Sequence, residues 1–317
     1  MSKGKIAIIG SGFVGRAWAI TFARAGFDVA LADADAAAAA AALAYIDGVL
    51  PDLAANGLLN DEAPETVRAR LTAVPTFAEA LDGAVHAQES APERLELKQA
   101  LYVELDRLAA PQTVLASSTS ALLPSLFTEG LAGRGRCCVC HPINPPYLVP
   151  AVEVVPAPWT DPETITRAAD LMRAAGQSPI VMRRELDGFV MNRMQGVLLD
   201  EAFRLVADGY ASVEDVDIGI REGLALRWSF MGPFETIDLN APAGVKDYAE
   251  RYEHMYARMA PTQWRRVDWS GPVMDTVVEQ RRQRLSQEGL PDRQVWRDRR
   301  LMALAAHKRK ADKDIGS

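Results

Sequence analysis

The N-terminal 33 residues leave this chain few folds to choose from. Lys5-Ile6-Ala7-Ile8-Ile9 is a short apolar run that ends at Gly10, the pattern of a parallel strand buried on both faces. Gly10-Ser11-Gly12-Phe13-Val14-Gly15 comes next, and a helical stretch from Arg16 to Ala25 is stopped by Gly26. A second strand, Asp28-Val29-Ala30-Leu31-Ala32, closes on Asp33. The whole is a β-α-β unit of about 30 residues.

In that setting the glycines have separate jobs. Gly10 permits a tight turn, Gly12 lets a phosphate approach the backbone, and Gly15 lets helix and strand pack. The helix N-terminus then faces the phosphates. Asp33 falls 23 residues after Gly10, where an acid bonds the adenosine ribose hydroxyls and repels a 2′-phosphate. Gly10, Gly12, Phe13, Val14, Gly15 and Asp33 therefore read as a dinucleotide site for NAD rather than NADP. A competing role for Asp33 is to cap the next helix, a task Asp35 could also fill.

Further strand signals lie at Ala84 to Gln88, Thr113 to Ser117, Cys137 to His141 and Glu153 to Val155, with helical segments such as Glu93 to Leu108 between them. This order predicts an α/β, Rossmann-type doubly wound sheet over residues 1–187. The alanine tract Ala36 to Ala42 starts a helix, and residues 36 to about 72 read as a helical hairpin insertion turning near Gly57 to Asp61. Beyond Asp187 the strand signals stop. Gly188 to Gly209 reads as one long amphipathic helix, Ser212 to Asp215 resembles a capping box, and Pro233, Pro242 and Pro261 punctuate further helices. Residues 188–317 are expected to form an all-helical domain. Its arginine-rich tail, 281–313, reads as a solvated helix face or a dimer rim.

At 317 residues the chain suits two domains, and 49% hydrophobic with 24% charged residues is a globular composition. A net charge of −7 argues against a nucleic-acid partner. No apolar stretch is expected to approach about 18 residues, so no membrane span is expected, and the run after Lys3 and Lys5 is not a signal peptide. Cys137, Cys138 and Cys140 are close neighbours in one strand, which points to reduced thiols and a cytoplasmic protein. Strand alternation puts Cys138 and Cys140 on one face and Cys137 and His141 on the other, so packing rather than a metal site is expected.

His141 opens His141-Pro142-Ile143-Asn144-Pro145-Pro146, and Glu153 follows 12 residues later. A carboxylate on one imidazole nitrogen fixes the tautomer and equips the other as a general base; the alternative is a satisfied structural histidine. Ser117-Ser118-Thr119-Ser120 follows a strand end, where ligands bind. Ser120 either caps the next helix or hydrogen-bonds a substrate oxygen. Asn192, at the start of the long helix, either caps it or holds a carbonyl or alkoxide.

Taken in order, the glycine fingerprint, Ser118-Thr119-Ser120, His141 to Pro145, Glu153 and Gly188-Phe189-Val190-Met191-Asn192-Arg193 resemble the 3-hydroxyacyl-CoA dehydrogenase family over essentially the whole chain. Ser118, where acyl-CoA enzymes usually carry Asn, and the element from Leu226 to Thr236 are most similar to the lambda-crystallin, L-gulonate 3-dehydrogenase branch; L-carnitine dehydrogenases are near relatives that share its Leu226-Arg227-Trp228. The resemblance implies oxidation of a secondary alcohol by NAD, with His141, Glu153, Ser120 and Asn192 catalytic. It implies that Glu93 and Lys98 contact NAD near the nicotinamide ribose, and a homodimer formed through the helical domain. L-gulonate, oxidised at its 3-hydroxyl, is the substrate expected first, with 3-hydroxyacyl-CoA and L-carnitine as alternatives. A structural, crystallin-like role is the reading from another class, and the intact chemical residues weigh against it.

The acidic hairpin, with Asp52, Asp61, Glu62 and Glu65 but no lysine between Ala36 and Leu71, disfavours a phosphate-bearing acyl-CoA. A small hydroxy acid needs one carboxylate anchor. Arg227 is the candidate, against stacking on Trp228 or pairing with Glu222 or Glu235.

Overall fold

Strand and helix periods alternate along the first half of the chain as the apolar pattern dictates. The computed structural model describes residues 2–316. It divides into two compact units: residues up to Asn192 with Asp298–His307, and Arg193–Arg297 with the residues from Lys308 on.

The first unit runs β1 (Lys5–Ile9), α1 (Phe13–Arg24), β2 (Asp28–Ala32), α2 (Ala36–Ala55), α3 (Pro64–Arg68), β3 (Leu71–Ala73), α4 (Phe77–Leu81), β4 (Ala84–Glu89), α5 (Leu95–Leu108), β5 (Val114–Ser117), α6 (Ser125–Thr128), β6 (Cys137–Pro142), β7 (Ala151–Pro156), α7 (Pro162–Ala174) and β8 (Ser178–Val181). Eight strands form one sheet in the order β3-β2-β1-β4-β5-β6-β7-β8. All pairs are parallel except β6 with β7. The chain turns from β6 to β7 without a helical crossover, and so short a return can only be antiparallel.

Side chains alternate across this sheet into two cores. Ile6, Ile8, Val29 and Leu31 face the layer of α1, α2 and α7, while Ala7, Ile9, Ala30 and Ala32 face α4 and α5. Cys138 and Cys140 join the first core and Cys137 the second, as strand alternation predicts.

The second unit continues with α8 (Met191–Ala207), whose first two residues belong to the first unit, then α9 (Val213–Ile218), α10 (Ala225–Trp228), α11 (Pro233–Leu239), α12 (Val245–Gln263), α13 (Pro272–Arg284) and α14 (Leu290–Ile315). A six-residue π-helical turn, Gly219–Leu224, links α9 to α10. Ser212 and Asp215 form the reciprocal capping box at α9.

Several expectations need correction. The compact sheet unit reaches beyond Asp187, because Gly188 to Asn192 stay with it and Phe189 is fully buried there. The middle of α14 returns to the same unit, with Met302 in its core. Helix α8 starts at Met191 rather than Gly188, because Gly188 (φ +73°) and Phe189 (φ +49°) are left-handed. The second arm of the hairpin, α3, ends at Arg68, after which β3 pairs with β2. Edge strands β3 and β8 gave no apolar signal: β3 has three residues and β8 carries Pro179. Pro261 lies inside the last turn of α12 instead of breaking it. Finally, Ala37–Ala55 is long and apolar enough to cross a membrane by length and composition. In the fold, Ala39, Ala42, Ile46, Leu50 and Leu53 form its buried stripe against the core.

Candidate active site

The glycine loop leaves the carboxyl end of β1 beside the end of β4. Gly10 has φ +92°, and a Cβ there would lie 2.9 Å from the Ser90 carbonyl carbon. A Cβ on Gly15 would lie 1.9 Å from the Gly10 carbonyl oxygen, so helix α1 can pack on β1 only with hydrogen at that position. A Cβ on Gly12 would meet nothing within 4 Å. The space above the α1 N-terminus, which has no side-chain cap, is therefore open. Ser11 Oγ is buried there without a protein partner among the described residues. An open helix N-terminus beside an unsatisfied hydroxyl suits the pyrophosphate of a dinucleotide. Phe13 is exposed at the rim, with the Arg16 guanidinium 4.5 Å from its ring centroid, while Val14 packs inward.

Asp33 is fastened to the loop. Its Oδ2 accepts from Ser11 N at 2.6 Å and its Oδ1 from Asp35 N at 3.0 Å. The cap of α2 is Asp35, which accepts from Ala37 N. Asp33 is thus not the cap, and it stands at the end of β2 where a ribose hydroxyl would be met.

His141 and Glu153 are register partners across the β6–β7 pair. Nδ1 of His141 lies 2.7 Å from Glu153 Oε2, with the histidine 4% and the glutamate 0% exposed. The other oxygen, Oε1, accepts from Val190 N at 2.6 Å and Met191 N at 2.9 Å. Those are the first amides of α8, so Glu153 also satisfies a helix N-terminus. With Nδ1 engaged, Nε2 is the nitrogen left for chemistry. The Phe189 ring packs on the imidazole at 5.5 Å between centroids. Its left-handed backbone is sparsely populated for an aromatic residue, and such strain persists where surrounding contacts hold it.

One residue after the amides held by Glu153, Asn192 Nδ2 donates to the Ser120 carbonyl at 2.8 Å. Asn192 therefore ties two segments instead of capping its helix. Ser120 does not cap a helix either: Thr119 Oγ1 accepts from Leu122 N at 2.9 Å. A continuous chain of contacts thus joins His141, Glu153, the start of α8, Asn192 and Ser120.

Behind Ser120 stands Glu93. Its Oε1 accepts from Thr119 Oγ1, Ser120 N (3.1 Å) and Ala121 N (3.0 Å). Lys98 is only 1% exposed, with its ammonium 2.8 and 3.0 Å from the two Glu89 carboxylate oxygens and 3.8 Å from Glu93 Oε2. Ser117 Oγ donates to Glu89 at 2.5 Å. Burial and the Glu89 carboxylate fix the Lys98 ammonium beside Glu93, whose Oε1 holds the Ser120 loop. Glu89 escaped the sequence reading. The available signal was Lys98 itself, which occupies the buried stripe of α5 with Tyr102 and Leu105. A charge in an apolar stripe demands a buried partner.

Arg227 lies on α10 in the second unit. It is exposed, and its Nη1 is 3.5 Å from Asn240 Oδ1. Glu222 instead pairs with Arg221. Among the described residues no group of three or more His, Cys, Asp or Glu is arranged to hold a metal ion.

Residues 5–186 match the family model for the 3-hydroxyacyl-CoA dehydrogenase NAD binding domain, and residues 188–279 the model for the 3-hydroxyacyl-CoA dehydrogenase C-terminal domain. The chain is 41% identical to the lambda-crystallin homolog of Bos taurus, over 96% of this chain and 95% of that protein. It is 35% identical to the L-carnitine dehydrogenase of Pseudomonas putida, over 94% and 92% of the two. Among solved structures, an NAD+-dependent FHMPC 5-dehydrogenase superposes with a TM-score of 0.81 at 26% identity, covering 96% of this chain and 97% of that one. The chain belongs to the lambda-crystallin branch of the 3-hydroxyacyl-CoA dehydrogenase family and is an NAD-dependent oxidoreductase acting on a CH–OH group.

Proposed function

We propose that the protein oxidises the 3-hydroxyl of a small hydroxy acid, with L-gulonate as its first substrate. In this reading His141 Nε2 takes the hydroxyl proton, and Glu153 holds Nδ1–H and offsets the charge that develops on the ring. Positioned acid–base groups of this kind contribute about 10²- to 10⁴-fold. The Ser120 hydroxyl and the second N–H of Asn192 hydrogen-bond the reacting oxygen. The glycine loop and Asp33 hold NAD+, with Glu93 beside the Ser120 loop. Bound NAD+ supplies the hydride acceptor.

The observation that carries the choice of a small acid is the state of the hairpin's basic residues. Arg68 Nε is 2.6 Å from Asp47, and Arg70 is bound by both oxygens of Glu62. Each cation already has an acidic partner, which leaves little attraction for the phosphates of a CoA tail. Arg227, exposed and weakly engaged, is the proposed carboxylate anchor. L-carnitine is the second reading, favoured by the 35% identity to an L-carnitine dehydrogenase. We also infer self-association through the helical unit, supported by exposed Phe230, Phe234 and Trp264; sedimentation as a monomer at micromolar concentration would end that inference.

The deciding experiment is NAD+ reduction with L-gulonate, L-carnitine, L-3-hydroxybutyrate and 3-hydroxybutyryl-CoA at matched concentrations. Turnover with L-gulonate that exceeds the others supports the proposal. Activity confined to the thioester, or to L-carnitine, overturns it.

A further inference from the structure

Along β4, beside the end of β1, a buried polar chain has only one consistent direction. It starts at His86, whose Nε2 lies 3.0 Å from Gln88 Oε1. Gln88 Nε2 lies 3.1 Å from the Cys140 carbonyl and 2.7 Å from Ser118 Oγ. A carbonyl can only accept, so the amide nitrogen faces Cys140 and Ser118, and Oε1 faces His86. His86 therefore carries its proton on Nε2. Trp18 Nε1, which can only donate, also points to Ser118 Oγ at 3.1 Å. Two donors now occupy both acceptor positions of one hydroxyl. Among the described residues its own hydrogen has one remaining hydrogen-bond partner, Ser90 Oγ at 3.0 Å. Ser90 Oγ is thus the acceptor in that bond, and its own hydrogen must point elsewhere.

Ser90 stands immediately after β4, with its backbone against Gly10 and its amide bound to the Ile9 carbonyl at 2.7 Å. It is partly exposed, whereas His86 and Gln88 behind it are buried. The end of β4 flanks the point where the sheet order reverses, which is where a dinucleotide lies. We infer that the Ser90 hydroxyl is a pre-oriented hydrogen-bond donor to an acceptor oxygen of the bound dinucleotide, aimed by the one-way chain from Trp18 and Gln88 through Ser118. Ser118, where acyl-CoA enzymes usually carry Asn, is the positioning residue. Serine at position 118 meets this need because a hydroxyl accepts twice and donates once.

The inference concerns cofactor binding alone, so it is tested without any substrate by calorimetric titration with NAD+. Ser90→Ala is expected to raise Kd about 5- to 10-fold, the range of one hydrogen bond. Ser90→Cys keeps the shape but has a weak donor, and is expected to bind as poorly as the alanine variant. Ser118→Ala should weaken binding in the wild-type background and add nothing in the Ser90→Ala background, because it acts only through Ser90. A Ser90→Ala Kd within about twofold of wild type removes the donor, since one hydrogen bond is worth more. A Ser90→Cys variant that binds like wild type shows packing instead, and an additive double variant shows that Ser118 acts independently. Each of these results overturns the inference.

Discussion

Replacing Glu153 by Gln changes one atom of the site and reverses one proton. Wild-type Oε1 accepts two backbone N–H groups at 2.6 and 2.9 Å, and Oε2 receives Nδ1 of His141 at 2.7 Å. A glutamine has one acceptor oxygen. If that oxygen stays on Val190 and Met191, its amide nitrogen points at His141 and donates to Nδ1. The imidazole proton then sits on Nε2, the nitrogen that must accept the substrate's proton. The working tautomer requires the amide to flip, which sets its NH₂ against two partly buried N–H donors. Each donor left unsatisfied costs about 1–3 kcal/mol. The sum, roughly 2–6 kcal/mol with a midpoint near 4, corresponds to about a thousandfold fall in kcat. Loss of the negative charge at the start of α8 removes about 1 kcal/mol of stability, so the variant folds and binds NAD+ nearly as wild type. Steady-state NAD+ reduction measures kcat, and nitrogen-15 NMR of the labelled imidazole reports which nitrogen holds the proton. A kcat within about tenfold of wild type would mean a tautomer penalty below about 1.4 kcal/mol. That result, or an imidazole still protonated on Nδ1, would refute the reasoning.

The last two glycines of the fingerprint should part company on substitution. Gly15→Ala places a methyl 1.9 Å from the Gly10 carbonyl oxygen, and urea denaturation should show about 2 kcal/mol or more lost. Gly12→Ala meets no protein atom, so its stability should hold within about 1 kcal/mol. Its affinity for NAD+ should fall about tenfold or more, because the methyl fills the phosphate's approach. Burial, opposed only in part by the Gln88 hydrogen bond, lowers the pKa of His86 to about 4 from 6.5. Between those values the unfolded chain binds a proton that the folded chain refuses. Stability is therefore full above pH 6.5 and falls by about 3 kcal/mol as pH drops to 4. His86→Gln should show a smaller loss than wild type over that interval by about the same amount, and parallel urea-denaturation curves for the two proteins would contradict this. Burial pushes the Cys137 thiol up, and the contact with Cys140 followed by burial pushes Cys138 up. An aromatic disulfide reagent at pH 8 should find no reactive thiol in the native protein and all three in denaturant.

Which parts of the molecule could be read from the chain follows from the range of the contacts that make them. The unit from Lys5 to Asp33 is decided by neighbours: an apolar run, a turn only glycine can make, a helix stop. Central strands were legible because both faces are buried, whereas β3 and β8 at the sheet edges carry no such pattern. The His141–Glu153 pair was legible for the same local reason, since both residues belong to one strand return. The second task of Glu153 was not. Its Oε1 partners, Val190 and Met191, are 37 and 38 residues away, and nothing in their own side chains announces the bond because they offer only backbone amides. The Trp18–Ser118 contact spans 100 residues, and either side chain alone reads as core or cap. Lys98 falls between these cases. Its position in the stripe with Tyr102 and Leu105 declares burial, and burial of an ammonium requires an anion. The stripe cannot say which carboxylate answers, because Glu89 reaches it only after β4 and α5 have packed. A local pattern thus identifies the residue that needs a partner, while the partner itself is chosen by the tertiary fold.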